Sequence, residues 1–338
     1  MRFFEQQEAA RGQTVRLVLL FAVAVAATVL GVHAALALCW WLLRMLSPVP
    51  LDFPSLFFTV NVGVTLLLVL GGWWIETSNL SAAGGAERLA RRMGAREVRP
   101  STSHAEQRLA NIVDEVCIAA HMPHPQVMVL ARREAINAFA TGWHPGDAVI
   151  AVTEGALDLL TRDELQGLVA HECSHVHEGD TRLNMQLAAM VAGLELVWGF
   201  GDTVRERGGL AVLFGSAIMV TGAAGWWAGR VLQASVSRQR EFLADARAVQ
   251  WTRSRDGLGG VLRKALTQAR ELGAGAHDPV VPGAVQHLLL LASDAAGDGR
   301  WLATHPPLAE RIQRVYGRPM GALPLPGAGQ VASAFTST

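Results

Sequence analysis

Apolar residues along the chain fall into two regimes. Near the start they form unbroken runs: residues 17–43 and 53–75 contain no Asp, Glu, Lys or Arg. A helix crossing a bilayer needs roughly 20 mainly apolar residues, so both runs are long enough to span. A cleavable signal peptide fits the first run badly. The run is too long, and Trp40, Trp41 and Arg44 stand where a small-residue cleavage site would be. Two weaker runs follow at 183–200, which carries Glu195, and 210–228. A full second hairpin and partial burial within the protein both fit them. Glu195 is either a functional intramembrane charge or a sign that its helix faces protein or water, and the second reading is favoured.

Tryptophans punctuate these runs. Trp40–Trp41, Trp73–Trp74 and Trp226–Trp227 each lie near one end of an apolar stretch, where an indole ring can be buried while its N–H stays at the wet headgroup level. Gly225 and Gly229 form a GxxxG pair that hints at close helix packing. Arg2, Arg11 and Arg16 precede the first run, and Arg88, Arg91, Arg92, Arg96 and Arg99 follow the second, whereas the short connection holds Arg44 alone. The positive-inside rule puts the N-terminus and the segment after Ile75 in the cytoplasm. Arg205 and Arg207 argue mildly against the loop between the third and fourth runs lying outside.

From about Ser81 the apolar positions become periodic. Residues 86–93 and 105–120 show helical spacing, and Pro123 and Pro125 end the second helix. Residues 126–130 and 148–152 read as short strands, the latter entered by Pro145–Gly146–Asp147. Thr161 and Glu164 form a capping box that opens a helix running to about Glu178. Helix returns over residues 237–272 and again over 278–296, and the Gly/Pro/Ala/Ser-rich residues 317–338 read as a frayed tail.

Composition narrows the class. Hydrophobic residues make up 51% and charged residues 17%, against about a quarter charged in soluble proteins. Formal net charge is zero, so no basic excess supports nucleic-acid binding. Cys39, Cys117 and Cys173 are odd in number and widely separated, which suits a reducing compartment better than a disulfide framework.

The chemistry sits in the Thr161 helix. His171-Glu172-Cys173-Ser174-His175 matches HExxH. Residues i and i+4 share a helix face, so both imidazoles can reach one Zn²⁺, with Glu172 beside them to take a proton from water. A catalytic zinc usually has three protein ligands. Glu241 is the best candidate for the third, and Asp245, one turn on, can orient a ligand histidine. An exposed Arg/Glu helix face is the competing reading of this segment. His177 points elsewhere on its helix and Cys173 lies off the ligand face.

Four blocks in order then resemble the HtpX-type membrane metalloproteases, whose relatives include the membrane CAAX prenyl proteases. They are residues 136–142; Leu165 to His175 continuing to Gly179-Asp180; Ser237-Arg238 with Glu241-Phe242 and Ala244-Asp245; and Thr304-His305-Pro306-Pro307-Leu308 with Arg311. The resemblance implies a mainly α integral membrane protein. About four transmembrane helices would accompany a cytoplasmic, zincin-like α+β catalytic domain in the inner (plasma) membrane. It implies a membrane hairpin over 1–80, catalytic segments over 81–182 and 236–316, and a second hairpin over 183–235. It makes Glu241 a zinc ligand, places Asn137 at the substrate-binding edge, and gives His305 the oxyanion of the tetrahedral intermediate. Both side chains can donate a hydrogen bond to developing charge. Arg311 either pairs with a site carboxylate or caps a helix. The implied activity is zinc endopeptidase action on polypeptides, above all misfolded or damaged membrane proteins. The alternatives are a CAAX prenyl-type protease, which would have more membrane helices, or a non-catalytic zinc-binding membrane protein.

Overall fold

The computed structural model describes residues 3–272 and 305–326. The helix expected over 278–296, Thr304 and the end of the tail lie outside the described residues. The chain divides into two compact units, Met1–Ser78 with Gln186–Leu232, and Asn79–Met185 with Gln233–Thr338.

The first unit is built from long apolar helices: α1 (Phe3–Leu46), α2 (Phe57–Ser81), most of α7 (Asp180–Arg205) and the first half of α8 (Leu210–Thr252). Among the described residues, four segments are long and apolar enough to cross a membrane: Val18–Leu46, Phe57–Ser81, Asp180–Arg205 and Leu210–Ala234. Their inward residues form a core of Phe21, Val25, Val32, Val69, Leu194 and Val197. Leu19, Leu30, Leu67, Trp74 and Val220 remain largely exposed, the pattern expected where hydrocarbon rather than water is the solvent. Each tryptophan pair divides its labour. Trp40 packs on Phe53, Phe57 and Phe214, and Trp73 on Phe21. Trp41, Trp74 and Trp227 face outward. Glu195 is exposed as well.

Close packing in this unit depends on more glycines than the GxxxG pair. A Cβ on Gly225 would meet the Thr28 side chain, and one on Gly229 the Leu194 side chain. Close backbone approaches between α7 and α8 occur at Gly201 and Gly222. A Cβ there would fall 2.4 Å from Met219 N and 2.5 Å from Trp198 N, respectively. Small residues let α7 and α8 run antiparallel with their backbones in contact, the usual source of helix association where burial from water supplies no drive.

The second unit is α+β. It holds α3 (Gly85–Arg92), β1 (Ala95–Glu97), α4 (His104–Ala120), β2 (Gln126–Leu130), β3 (Ala138–Thr141), β4 (Val149–Thr153), α5 (Glu154–Leu159), α6 (Arg162–His177), the end of α8, α9 (Arg255–Leu272) and α10 (Leu308–Tyr316). The sheet order is β1-β2-β4-β3. β2 and β4 are parallel, β1 and β3 pair antiparallel at the two edges, and Ala140 lies opposite Ile150. The core joins Leu109, Ile112 and Val116 of α4, Val129 and Ile150 of the sheet, Leu165, Leu168 and Cys173 of α6, and Leu258 and Leu262 of α9. Gly167 lets α6 and α9 approach closely, since a Cβ there would lie 2.3 Å from Leu258 N.

The structure differs from the sequence expectation at β1, β3 and α5, which the pattern did not mark, and at α8. β3 is a strand although Ala-Phe-Ala-Thr carries no alternation; all four residues are buried, so no polar face marks them. α8 is one 43-residue helix, so the fourth apolar run passes without a break into the segment carrying Glu241. It stops at Thr252, and Arg253 takes φ 53°, which turns the chain into α9.

Candidate metal centre

α6 supplies the platform. Thr161 caps it reciprocally: the Thr161 side chain accepts from Glu164 N, and Glu164 accepts from Thr161 N at 2.8 Å. Lys264 of α9 donates to Glu164 at 2.6 Å, tying the cap into the core. His171 and His175 then project from one face, with Nε2 atoms 3.2 Å apart and rings at 88° to each other.

α8 delivers the third group. Glu241 Oε2 lies 3.6 Å from His171 Nε2, and Oε1 lies 3.5 Å from His175 Nε2. One ligand atom from each of these residues falls within 4.8 Å of the others. Tetrahedral zinc with ligands at about 2.0–2.1 Å would hold them roughly 3.3 Å apart, so the trio fits a cation of that size. Two further facts support the fit. Glu241 Oε2 is buried with no aligned hydrogen bond among the described residues and only ion-pair contacts to His305 and Arg311. The buried carboxylates of Glu241, Asp245 and Asp180 outnumber the guanidiniums of Arg311 and Arg240 by one, and Glu172 adds to that negative excess whenever it is ionised, an imbalance that a divalent cation would offset.

Carboxylates stand behind both imidazoles. Asp245 Oδ1 lies 3.1 Å from His171 Nδ1, at ion-pair distance rather than in hydrogen-bond alignment. His175 Nδ1 lies 3.0 Å from Asp180 Oδ2 in a hydrogen bond. Asp180 ends the second sequence block, but no role attached to it there. The missed signal was Gly179, whose φ of +76° reverses the chain after the α6 C-cap and returns the next residue to the helix face.

Arg311 resolves its two sequence readings in favour of the site. It is fully buried. It donates to Asp245 through Nε at 2.9 Å and Nη2 at 2.6 Å, and its Nη1 is 3.1 Å from Glu241 Oε2. Burial alone would lower its pKa, but Asp245 and Glu241 outweigh burial and raise it. Burial likewise opposes the charged form of Glu241, but His305, Arg311 and His175 hold its carboxyl well below the usual range. For His171 burial wins and the pKa falls, favouring the neutral imidazole that binds metal.

Glu172 is 2% exposed. Burial pushes its carboxyl up to about 7, against the pull of His175 and of a hydrogen bond from Ala140 N–H in β3. The base of HExxH therefore sits against the edge strand. His305 precedes α10, with Nδ1 3.0 Å from Glu241 Oε2 and Nε2 buried without a hydrogen-bond partner among the described residues. Asn137 enters β3. Its N–H donates to Thr153 Oγ1 at 3.0 Å, and its own Oδ1 accepts from Ala138 N, so these bonds tie it to the β3–β4 pairing. His177 is partly exposed beside Trp251, and Cys173 is buried in the core.

The sequence is similar to known proteins. The family model described as Peptidase family M48 matches residues 103–318. Curated relatives include a "Protease HtpX homolog" of Thermoanaerobacter pseudethanolicus, 36% identical over 222 residues, covering 61% of this chain and 70% of the relative. Another from Streptococcus pneumoniae R6 is 31% identical over 238 residues, covering 66% and 76%. Among solved structures, S. mikatae Ste24p aligns at TM-score 0.39 and 16% identity, covering 78% of this chain and 58% of that one. The family match spans more than half the chain and includes every element of the His–Glu cluster, so this protein belongs to peptidase family M48, as an HtpX-type membrane metalloprotease.

Proposed function

We propose that the chain is a zinc endopeptidase whose catalytic unit faces the cytoplasm and cleaves misfolded or damaged membrane proteins. The observation that carries this reading is the convergence of His171 Nε2, His175 Nε2 and the Glu241 carboxylate beside a buried Glu172. His171, His175 and Glu241 would hold the ion. The chemistry zinc supplies when bound is Lewis acidity, which makes water a better acid and the scissile carbonyl a better electrophile.

The remaining work falls to the chain's own groups. Glu172 takes a proton from the attacking water onto its carboxylate and returns it to the leaving amine. A carboxyl pushed up to about 7 by burial can hold and release that proton near neutral pH. His305, whose Nδ1 faces Glu241, would donate from Nε2 to the developing oxyanion in the form that carries a proton on both ring nitrogens. β3 is an edge strand, so an extended substrate can add to it by backbone pairing. Asn137, at its start, is suited to orient that peptide. Reading the chain by main-chain hydrogen bonds suits unfolded or flexible substrates over a fixed side-chain motif.

The test is metal content and casein-type proteolysis of the detergent-purified protein beside Glu172→Gln. The variant should keep its zinc and lose at least about 10²-fold in rate. Full activity in the variant would exclude Glu172 as the base.

A further inference from the structure

The second histidine of the cluster has a carboxylate partner that HExxH spacing does not provide. Spacing i, i+4 sets both imidazoles on one face but leaves ring rotation broad, so something must aim each ring. For His175 that group is Asp180. The chain leaves α6 at Glu178, turns at Gly179 with φ +76° and starts α7 with Asp180. The Asp180 carboxylate is 3% exposed and has one oxygen for each of two partners. His175 Nδ1–H donates to Oδ2 at 3.0 Å, and Arg240 Nη1 contacts Oδ1. Arg240 immediately precedes Glu241 in α8.

A neutral imidazole carries one N–H. An acceptor held at Nδ1 keeps the proton there and leaves the Nε2 lone pair facing His171 and Glu241. Asp245 Oδ1 lies 3.1 Å from His171 Nδ1 while both of its oxygens also accept from Arg311, so its contact with His171 is shared with a buried guanidinium. A plain Asp180–Arg240 ion pair would account for burial, but not for the aligned hydrogen bond to a ligand histidine.

We propose that Asp180 is a positioning residue for the metal centre: it sets the tautomer and rotation of His175, and Arg240 locks its carboxylate in place from the third-ligand helix. This rests on the metal-centre reading above.

The test uses the full-length, detergent-solubilised protein and two readouts that do not depend on activity. One is zinc affinity by competition with a chromophoric chelator, and the other is the absorption spectrum of the cobalt(II)-loaded form. Asp180→Ala should weaken zinc binding about 10- to 100-fold and shift the cobalt bands. Asp180→Asn keeps an acceptor oxygen but not the charge, so its affinity should fall between Asp180→Ala and wild type. A residue needed only for folding would lower thermal stability and leave the cobalt bands in place. Wild-type affinity and bands in Asp180→Ala overturn the proposal. If that variant does not fold, wild-type values of both in Asp180→Asn do so. Failure of the metal-centre reading itself looks different: wild type would then bind no more zinc than His171→Ala.

Discussion

Arg311 shows how a single buried side chain can hold a site together. Its guanidinium spans Asp245 and Glu241 with no solvent exposure. Removing one partner of such a network leaves charges buried and uncompensated, which costs more than the pair is worth against an apolar substitute. Arg311→Met should therefore destabilise the protein by about 3–5 kcal/mol, read from chemical unfolding in detergent. A change below about 1 kcal/mol would mean that Asp245 and Glu241 find other counter-charges. His171, Glu172 and His175 were legible because HExxH is local. Glu241 and Asp245 were visible as a helical pair, but nothing in their own segment separated a ligand from an exposed Arg/Glu face. Arg311 was left between a site carboxylate and a helix cap because Asp245 lies 66 residues away, and Asp180 stood in a recognised block without a role because only the reversal at Gly179 brings it back to His175.

Element ends carry the next layer. Gly179 sits where the backbone must turn left-handed between α6 and α7. A Cβ there meets no neighbour, so the cost of Gly179→Ala is conformational, about 1–2 kcal/mol. It should appear as a lower unfolding midpoint with weaker metal binding, since Asp180 follows directly. An unchanged midpoint would show that the turn relaxes. At the start of α4, Glu106 accepts from Arg96 at 2.7 and 3.1 Å and also from Arg99 N. These contacts, with Arg96 the largest, outweigh burial and lower its pKa. A carboxyl lower in the folded than in the unfolded state adds stability above the unfolded value near 4.3. That contribution is lost as pH falls through the folded value. Stability measured from pH 7 down to pH 3 should fall less steeply for Glu106→Gln than for wild type; parallel acid limbs would remove Glu106 from the account. α6 was readable to within a residue because its cap is chemical and local. β3 and α5 were not, since both are short, and β3 owes its strand pairing to β4 rather than to its own pattern.

At the scale of the whole molecule, charge asymmetry makes a topological prediction. The arginines before the first span and after the second should lie in the cytoplasm, with the short connection outside. Cys39, Cys117 and Cys173 are all buried, so an introduced cysteine gives a clean signal. In intact cells a membrane-impermeant maleimide should label Ser47→Cys in the connection and spare Thr102→Cys in the catalytic unit. Labelling of Thr102→Cys would invert the orientation and, with it, the choice of substrates. The exposed Glu195 belongs to this scale too: it sits in an apolar helix and is the one acidic residue within the third apolar run at 183–200.

Sequence alone determined the features whose physics is local. Uncharged runs long enough to span a bilayer, a reciprocal helix cap and two histidines one turn apart need only neighbours a few residues away. Only the tertiary structure decided which carboxylates face which imidazoles, that the fourth apolar run and the Glu241 segment are one helix, and that a buried arginine binds two acids at once. Those choices are settled by packing and by the balance of buried charge, both of which act between residues the chain order keeps far apart.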